Sequence, residues 1–350
     1  MKIFIIIIGL LWFTACSIID RIDNRIAVKS VRNSLIDKNG TLLASTNENQ
    51  KRFYPYKKSA CHILGYVKKS NGTKVGVKGL EKYYDVDLSH TSLPLKLTLD
   101  INLTQQMSKL FENKSGGFIV MDIDGAILSA GSFPQYDLNI FINGTIRSHY
   151  IALLNSPNKP FVNKLVHNLY DVGELLEPAY RLSNNNHTII QKYGFGGRTG
   201  VDMPNEFHGF IPSDKSKNKN ILVTPMQIAN FTALLATAKL PTPHFIQKRK
   251  EVKNVLNEQE LQKLKLLQKK LYSRFNYPKE LVNEINNKFH IAGMITKHNR
   301  TAWVTSYAPY ENPQYIVIVF LENSDKITTK YIMYKIYNYL QKHHYIKVEN

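Results

Sequence analysis

This sequence has few cysteines and lacks the spaced motifs that build metal, disulfide or phosphate sites. Its two cysteines, Cys16 and Cys61, are too few for a disulfide framework and lie at no metal-ligand spacing. The glycine-rich segment 194–200 matches neither a phosphate-binding loop nor a dinucleotide fingerprint. His290 and His298 stand alone in the sequence, so we expect them to be structural or exposed. We therefore predict no cofactor and no metal, and we expect Cys61 to be an ordinary buried thiol.

The sequence also lacks any nucleic-acid-binding motif of defined spacing, although its net charge is +19. Most of the excess comes from lysines that are scattered along all 350 residues. Such charge could serve an anionic partner such as nucleic acid, lipid headgroups or a wall polymer. We favour the simpler explanation of a composition rich in Lys, Asn and Ile, and we expect no nucleic-acid partner. A hydrophobic content of 43% with 21% charged residues is typical of a globular protein.

A run of apolar residues from Ile3 to Ile19 predicts an N-terminal membrane anchor or signal segment at 1–19. The segment 13–16 resembles a lipoprotein cleavage box, so a lipoprotein anchored at Cys16 is the alternative to a single-pass anchor. Four basic residues follow the apolar run between 21 and 32. By the positive-inside rule alone, they would place the body of the protein in the cytoplasm.

The part from 20 to 95 is predicted to form a small, extended N-terminal domain. A hairpin is indicated over Ser34–Ala44, because an Asn-Gly pair separates its two apolar runs. A short helix is expected to end the segment 76–84. A strand at Lys96–Asp100 and a linking helix at Ile101–Glu112 would then open a second domain covering 96–350.

The second domain is predicted to be α+β, with strands at both ends and helices between them. Its sheet would therefore combine distant parts of the chain. Thr224 and Pro225 carry the signals of a helix start, namely an N-cap and a proline in the first turn. The predicted elements are a hairpin over Gly117–Ala130 turning at Asp124-Gly125, helices at 223–236, 258–271 and 328–342, and strands at Ala302–Tyr307 and Tyr315–Leu321.

A series of short motifs in a fixed order carries a family resemblance from Ser34 to Leu321. The chain resembles the class B penicillin-binding proteins, and most closely the division-specific peptidoglycan D,D-transpeptidase of Gram-negative bacteria. The resemblance implies a penicillin-binding/β-lactamase-like transpeptidase domain, an antiparallel sheet with helices, shortened here and preceded by a dimerisation or pedestal-like domain. The markers are Ile36–Ala44, Tyr54–Tyr56, His62–Tyr66, Gly79–Glu81, Leu97–Asp100, Gly116–Asp122, Ser132–Pro134, Asp137–Asn139, Tyr193–Gly196, Thr199–Pro204, Thr224–Gln227, Trp303 and Ala308-Pro309.

The resemblance implies three catalytic motifs, and this sequence departs from each of them. The nucleophile and lysine positions of Ser-x-x-Lys fall on Glu174 and Glu177. Ser183 and Asn185 are a doubtful remnant of Ser-x-Asn, since they lie at the wrong place and suit a polar loop or helix cap. The Lys-Thr-Gly positions fall on Met294, Ile295 and Thr296, so no catalytic residue is intact.

These losses predict that acyl transfer is abolished. Removing a serine nucleophile costs on the order of a million-fold in turnover. The site also loses two lysines and gains two carboxylates, which should repel the carboxylate of a stem peptide. Glu174 and Glu177 could instead act as an acid–base or metal-binding pair. We favour a helix start, where acidic residues are stabilised and Pro178 is tolerated.

We therefore expect a catalytically inactive relative that binds or scaffolds other components of cell-wall synthesis or division. Its partners would be divisome or wall-synthesis membrane proteins, or peptidoglycan strands. The expected location is the inner membrane, with one span and the body in the periplasm. Two alternatives remain, an active D,D-transpeptidase that uses displaced residues such as Ser183 or Lys297, and a decaying relic.

Overall fold

The structure is a computed structural model, and it describes most of the chain beyond the N-terminal segment. The predicted anchor at 1–19 lies outside the described residues. Among the residues that are described, no helix is long and apolar enough to cross a membrane. The described residues are 31–346 apart from 71–72, 91–92, 142–146, 213–219, 247–250 and 276–288.

The described chain contains thirteen strands and ten α-helices, and those in the first hundred residues are short. The strands are β1 (Leu35–Ile36), β2 (Leu42–Thr46), β3 (Arg52–Phe53), β4 (Val67–Ser70), β5 (Thr73–Gly76), β6 (Leu95–Lys96), β7 (Ser115–Asp122), β8 (Ile127–Phe133), β9 (Tyr170–Asp171), β10 (Leu222–Val223), β11 (Ala292–His298), β12 (Thr301–Ala308) and β13 (Tyr315–Glu322). The helices are α1 (Cys61–Leu64), α2 (Gly79–Tyr83), α3 (Asp85–His90), α4 (Ile101–Leu110), α5 (Arg147–Leu154), α6 (Glu177–Leu182), α7 (His187–Ile190), α8 (Pro225–Thr237), α9 (Glu258–Phe275) and α10 (Lys326–Lys342). Short 3-10 turns occur at Leu138–Phe141, Gly173–Leu176 and Gln191–Tyr193.

The central sheet joins strands from both ends of the second region, as the sequence predicted. Its order is β11-β12-β13-β7-β8, and every neighbouring pair is antiparallel. The strands β12 and β13 are almost entirely buried, because apolar side chains point to both faces of the sheet. The strand β11 lies at one edge of this sheet, so its position depends on the elements that pack beside it.

Helices cover both faces of the central sheet. On one face, α10 packs on β12 and β13, and α4 packs on β8 and α10, in a cluster that includes Phe118, Val304 and Ile336. On the other face lies α8, a helix buried along nearly its whole length. Its start is fixed by a capping box, in which Thr224 accepts from the backbone of Gln227 and the Gln227 side chain accepts from the backbone of Thr224.

The N-terminal part is organised around a buried carboxylate. A four-stranded sheet has the order β3-β2-β1-β6, and β1 and β6 are parallel. Beside it, Glu81 is fully buried and pairs with Arg32 at 2.6 Å and with Arg52 at 2.7 Å. Such a triad is stable only while both partners remain, since a buried unpaired charge costs several kcal/mol.

Hydrogen bonds tie this N-terminal part to the rest of the chain. The Tyr84 hydroxyl donates to Asp202 Oδ2 at 2.7 Å, and Asp202 also accepts from the backbone N–H of Phe245 at 2.8 Å. Asn139 exchanges hydrogen bonds with the backbone of Tyr54 in both directions, at 3.0 and 2.9 Å. The two regions therefore share buried polar contacts.

The predicted elements are present, with differences at their ends. Asp100 caps α4 instead of ending a strand, because its Oδ1 accepts from two backbone N–H groups of that helix. The strand that was predicted there is Leu95–Lys96, and α4 ends at Leu110. The helix α9 runs on to Phe275, and α10 begins at Lys326 after an Asp325 N-cap. The exact ends of helices are hard to predict from sequence, because a residue such as Asp100 can either cap a helix or end a strand.

Candidate functional site

The segment that leads to the predicted nucleophile position is fixed against the central sheet. Tyr170 begins β9, which pairs with β10. Its ring meets Trp303 and Phe320 edge-on, with centroids at 5.4 and 5.3 Å. Its hydroxyl donates to Glu322 Oε1 at 2.7 Å, and Glu322 is also paired with Lys164. The end of β9 is therefore anchored by both packing and hydrogen bonds.

The carboxylate of Glu322 is ionised within this network. Burial alone would raise its pKa, but hydrogen bonds from Lys164, Ser115 and Tyr170 outweigh burial and lower the pKa below its ordinary value. The Lys164 ammonium donates to Ser115 Oγ at 2.6 Å and to Glu322. Lys164 therefore links Ser115 to Glu322 and holds the network together.

A second anchor joins the segment to the end of β11. Asp171 accepts from the Gly173 N–H at 3.2 Å, from His298 Nε2 at 3.0 Å and from Asn299 Nδ2 at 3.2 Å. Gly173 has φ = 52°, and a Cβ at this position would lie 2.6 Å from His298 Nδ1. His298 is therefore structural, as expected, but it is not isolated, because it holds β11 beside the 3-10 turn Gly173–Leu176.

Glu174 and Glu177 lie where a helix begins, as expected. The 3-10 turn contains Glu174, which is exposed, and α6 begins at Glu177 with Pro178 in its first turn. The neighbouring Leu175 and Leu176 are buried, so the turn is held by apolar packing. Within the described part of the chain, no group of three or more His, Cys, Asp or Glu side chains is arranged to hold a metal ion.

Glu177 is surrounded by cations, which the sequence analysis did not anticipate. Arg181 Nη2 lies 2.7 Å from its carboxylate, and Lys270 and Arg274 of α9 each approach to 3.3 Å. The hydrogen bond from Arg181 first, and those from Lys270 next, lower the pKa of Glu177. The charge of Glu177 is therefore compensated, because α6 and α9 supply positive charge, and the sequence analysis considered only the repulsion by the two carboxylates.

The strand β11 carries the third predicted position of the site. Met294, Ile295 and Thr296 pair with Thr305, Val304 and Trp303 of β12. Thr296 is buried, and its Oγ1 has no hydrogen-bond partner among the residues that the structure describes. None of the three side chains bears a charge. This stretch of the strand therefore offers a carboxylate no cationic side chain.

Ser183 is in the wrong environment for a nucleophile or a proton relay. It ends α6, is 1% exposed, and its hydroxyl donates to the Tyr180 carbonyl at 3.2 Å. Asn185 is exposed in a left-handed conformation two residues later. The expectation of a helix cap and polar loop at these residues fits this geometry, because Ser183 is the C-cap of α6.

A groove of about 220 Å³ separates α6, α9 and β11. Its apolar lining comes mainly from α9, through Leu267, Leu271 and Phe275. Its lining also includes Arg181, Lys270 and Arg274, the three cations that hold Glu177. Apolar side chains and ion pairs therefore line the same groove. In the sequence, the pairing of α9 with Glu177 is indicated only by the spacing of Lys270 and Arg274. These two residues are four apart and therefore lie on one face of an amphipathic helix.

Cys61 was expected to be a buried thiol, and this is confirmed. It is fully buried in α1, and burial raises its pKa to about 12. A thiol with so high a pKa stays protonated at neutral pH and is not a reactive nucleophile.

Two family models match this chain. The penicillin-binding protein transpeptidase domain matches residues 184–338, and the penicillin-binding protein dimerisation domain matches residues 41–92. The first match includes α8, α9 and most of the central sheet. The second lies in the region of β2 to α3. The order of the two matches is the order that the sequence analysis predicted.

Curated relatives match this chain at low identity, some over most of its length and others over less than half. The peptidoglycan D,D-transpeptidase MrdA of Salmonella typhimurium is 21% identical over 455 alignment positions, which cover 84% of this chain and 73% of the relative. Only 84% of the 350 residues are aligned, so many of the 455 alignment positions are gaps in this chain. These gaps agree with the predicted shortening. Penicillin-binding protein 3 of Bacillus subtilis is 27% identical over 188 residues, covering 43% of this chain and 28% of the relative.

Solved structures share the fold. PBP2 from Helicobacter pylori superposes with a TM-score of 0.80 at 21% identity, covering 91% of this chain and 99% of that one. The complex between PBP2 and MreC from Helicobacter pylori gives a TM-score of 0.76 at 24% identity, covering 85% of this chain and 80% of that one. The names of these relatives do not mention division, so the division-specific assignment stays a prediction. The two family models, the MrdA relatives and the shared fold together show that this chain belongs to the class B penicillin-binding proteins.

Proposed function

We propose that this chain is a cell-wall synthesis protein that has lost transpeptidase chemistry and acts by binding other wall-synthesis components. The observation that carries this proposal is the state of Glu177. The position where the family's lysine would help to deprotonate a serine holds an ionised carboxylate in contact with three cations. A carboxylate held in this way stabilises structure and accepts no proton at neutral pH.

The neighbouring groups supply no substitute chemistry. Glu174 occupies the proposed nucleophile position, and an acyl transfer through a carboxylate would give a labile mixed anhydride. Met294 and Ile295 place a thioether and an alkyl group where the family's strand binds a terminal carboxylate. A stem peptide would therefore find no serine at position 174 and no lysine at 294–296 of β11.

The displaced-residue alternative finds no support in the geometry. The Ser183 hydroxyl is buried and bonded to a helix carbonyl, so it would have to leave its partner to attack a substrate. Lys297 is exposed on β11 and lies outside the groove lining. The relic alternative predicts a chain without cooperative unfolding, and urea denaturation tests it directly.

The remaining parts of the proposal concern organisation and partners. We propose an anchor at 1–19, a dimerisation or pedestal-like domain at 20–95 and a transpeptidase-like domain at 96–350. The family matches at 41–92 and 184–338 support the second and third of these parts. The body would lie in the periplasm below the inner membrane. The complex of a structural relative with MreC supports a protein partner of that kind.

Labelling with a fluorescent penicillin tests the loss of chemistry. The purified chain should show no covalent fluorescence above that of a heat-denatured sample, while an active class B enzyme labelled in parallel should be fluorescent. Labelling that unlabelled penicillin suppresses, and that denaturation abolishes, would contradict the proposal.

A further inference from the structure

The groove at Glu177, between α6, α9 and β11, has a size that suits a narrow ligand. Its volume of about 220 Å³ lies below the range of roughly 300–1,000 Å³ that is common for sites of drug-sized molecules. A chain-like molecule fits such a space better than a bulky one. The class of that molecule follows from three features of the lining, namely its apolar side chains, its charges and one buried hydroxyl group.

Apolar side chains from two elements line the groove. Leu267, Leu271 and Phe275 are spaced four residues apart on α9 and therefore lie on one face of that helix. Met294 and Ile295 of β11 add to the apolar lining, and both are only partly buried. A hydrocarbon chain in the groove would remove this surface from water, which favours binding roughly in proportion to the apolar area that is covered.

The charges of the lining favour an anion with a single negative charge. Glu177 is in contact with three cations, and Glu174 adds a second carboxylate to the lining, so one positive charge is in excess. Among the described residues, the side chains of Arg181, Lys270 and Arg274 hydrogen-bond only to Glu177. An arginine side chain has five N–H donors and a lysine side chain has three, so each cation keeps donors for a ligand. Hydrogen bonds from such cations to a carboxylate are among the stronger ones in proteins.

A buried hydroxyl group in the groove indicates a place for an acceptor atom of the ligand. Thr296 belongs to the lining and is 4% exposed. Its Oγ1 makes no hydrogen bond within the part of the chain that the structure describes. Most buried hydroxyl groups are hydrogen-bonded, because an unsatisfied one has lost its bonds to water without a replacement. A ligand oxygen that accepts from Thr296 would remove this cost.

A carboxylate attached to a single hydrocarbon chain satisfies all three features. We propose that the groove at Glu177 binds a medium-chain fatty carboxylate. The hydrocarbon chain packs against Leu267 and Leu271, and the two carboxylate oxygens accept from Thr296 and from the cations of α6 and α9. This ligand is bound without any covalent step. The inference goes beyond the proposed function, because it assigns the groove a ligand that is neither a wall component nor a protein partner.

Titration calorimetry on the full chain tests this inference with octanoate as the probe. Three matched probes separate the contributions: acetate has the carboxylate without the chain, 1-octanol has the chain without the charge, and octylammonium has the opposite charge. The variant Lys270→Gln removes one cation of the groove, and Lys269→Gln makes the same change at the neighbouring exposed residue outside it. Thr296→Val removes the buried hydroxyl and keeps the shape of the side chain. Circular dichroism checks that each variant is folded.

We expect saturable binding of octanoate that Lys270→Gln weakens about tenfold, the loss expected for one hydrogen bond to a charged group. Lys269→Gln should leave the affinity nearly unchanged, and Thr296→Val should weaken binding without lowering the stability of the free protein. Acetate, 1-octanol and octylammonium should all bind more weakly than octanoate.

Several results would overturn the inference. These are the absence of saturable octanoate binding, an affinity for any of the three matched probes equal to that for octanoate, and equal affinities of the folded Lys270→Gln and Lys269→Gln variants. A penicillin adduct would contradict the proposed loss of chemistry, whereas the octanoate titration depends only on the lining of the groove. The failure of one proposal is therefore distinguishable from the failure of the other.

Discussion

The ion pairs of Glu177 lead to a quantitative prediction for the variant Glu177→Gln. The glutamine keeps the volume of the side chain and removes its charge. The Glu177 side chain is 33% exposed, and its partners Arg181, Lys270 and Arg274 are 52%, 32% and 59% exposed. Partly exposed pairs are worth about 0.2–1 kcal/mol each. We therefore expect a loss of about 1–2 kcal/mol in the free energy of unfolding at pH 7.

The contribution of Glu177 should depend on salt and on pH. At about 1 M salt the screening length falls to about 3 Å, so the difference between wild type and variant should shrink. The pKa of Glu177 is lowered in the folded protein, so its contribution is present above the unfolded value of about 4.3. It is lost as the pH falls through the folded pKa.

Urea denaturation followed by circular dichroism measures this effect at low and high salt. The matched control is Glu174→Gln, which makes the same charge change three residues away, at an exposed side chain for which the described chain shows no ion pair. That control should change the free energy of unfolding by less than about 0.5 kcal/mol. Equal losses for the two variants, or a loss at Glu177 that salt leaves unchanged, would refute the reasoning.

Three other sets of variants probe the same structure. The double variant Glu174→Ser/Glu177→Lys should gain no penicillin labelling, because its lysine would face the cations of α9 and β11 would still offer no Lys-Thr-Gly. Burial lowers the pKa of His62 to about 4, so between about pH 6.5 and 4 the unfolded state takes up a proton that the folded state does not. Wild type should therefore lose about 3 kcal/mol more than His62→Gln across that window, as measured by urea denaturation. Gly173→Ala should cost about 1–2 kcal/mol, because its Cβ would contact His298 in a left-handed backbone, and His298→Ala should recover part of that loss in a double-mutant cycle.

Each of these predictions has a contradicting result. Covalent labelling of the serine–lysine variant would show that the remaining framework supports acylation. Parallel pH profiles for wild type and His62→Gln would show that the imidazole is protonated in the folded protein. Additive losses for Gly173→Ala and His298→Ala would show that the two residues do not compete for space.

Local signals were enough to predict most of the secondary structure. The Asn39-Gly40 turn separates β1 from β2, and Thr224 with Pro225 begins α8, as expected from capping chemistry. The order of the predicted elements also indicated that strands from distant parts of the chain would share the central sheet. These features depend on neighbours within a few residues or on simple topology, which a sequence displays directly.

The electrostatics of the candidate site could not be predicted in the same way. Lys270 and Arg274 lie more than ninety residues from Glu177 in sequence, and only the packing of α9 beside α6 brings them together. The bond between His298 and Asp171 likewise spans 127 residues. Such contacts require the tertiary arrangement. The identities of Glu174 and Glu177 therefore led to a prediction of lost catalysis, but they did not reveal the ion pairs of Glu177.

Intact-mass spectrometry of the folded chain after incubation with excess penicillin tests the central claim most directly. We predict that the mass remains that of the unmodified protein, since none of the described residues that line the groove at Glu177 is a serine. A stoichiometric increase equal to one penicillin molecule, mapped by digestion to Ser183 or any other serine, would contradict that claim.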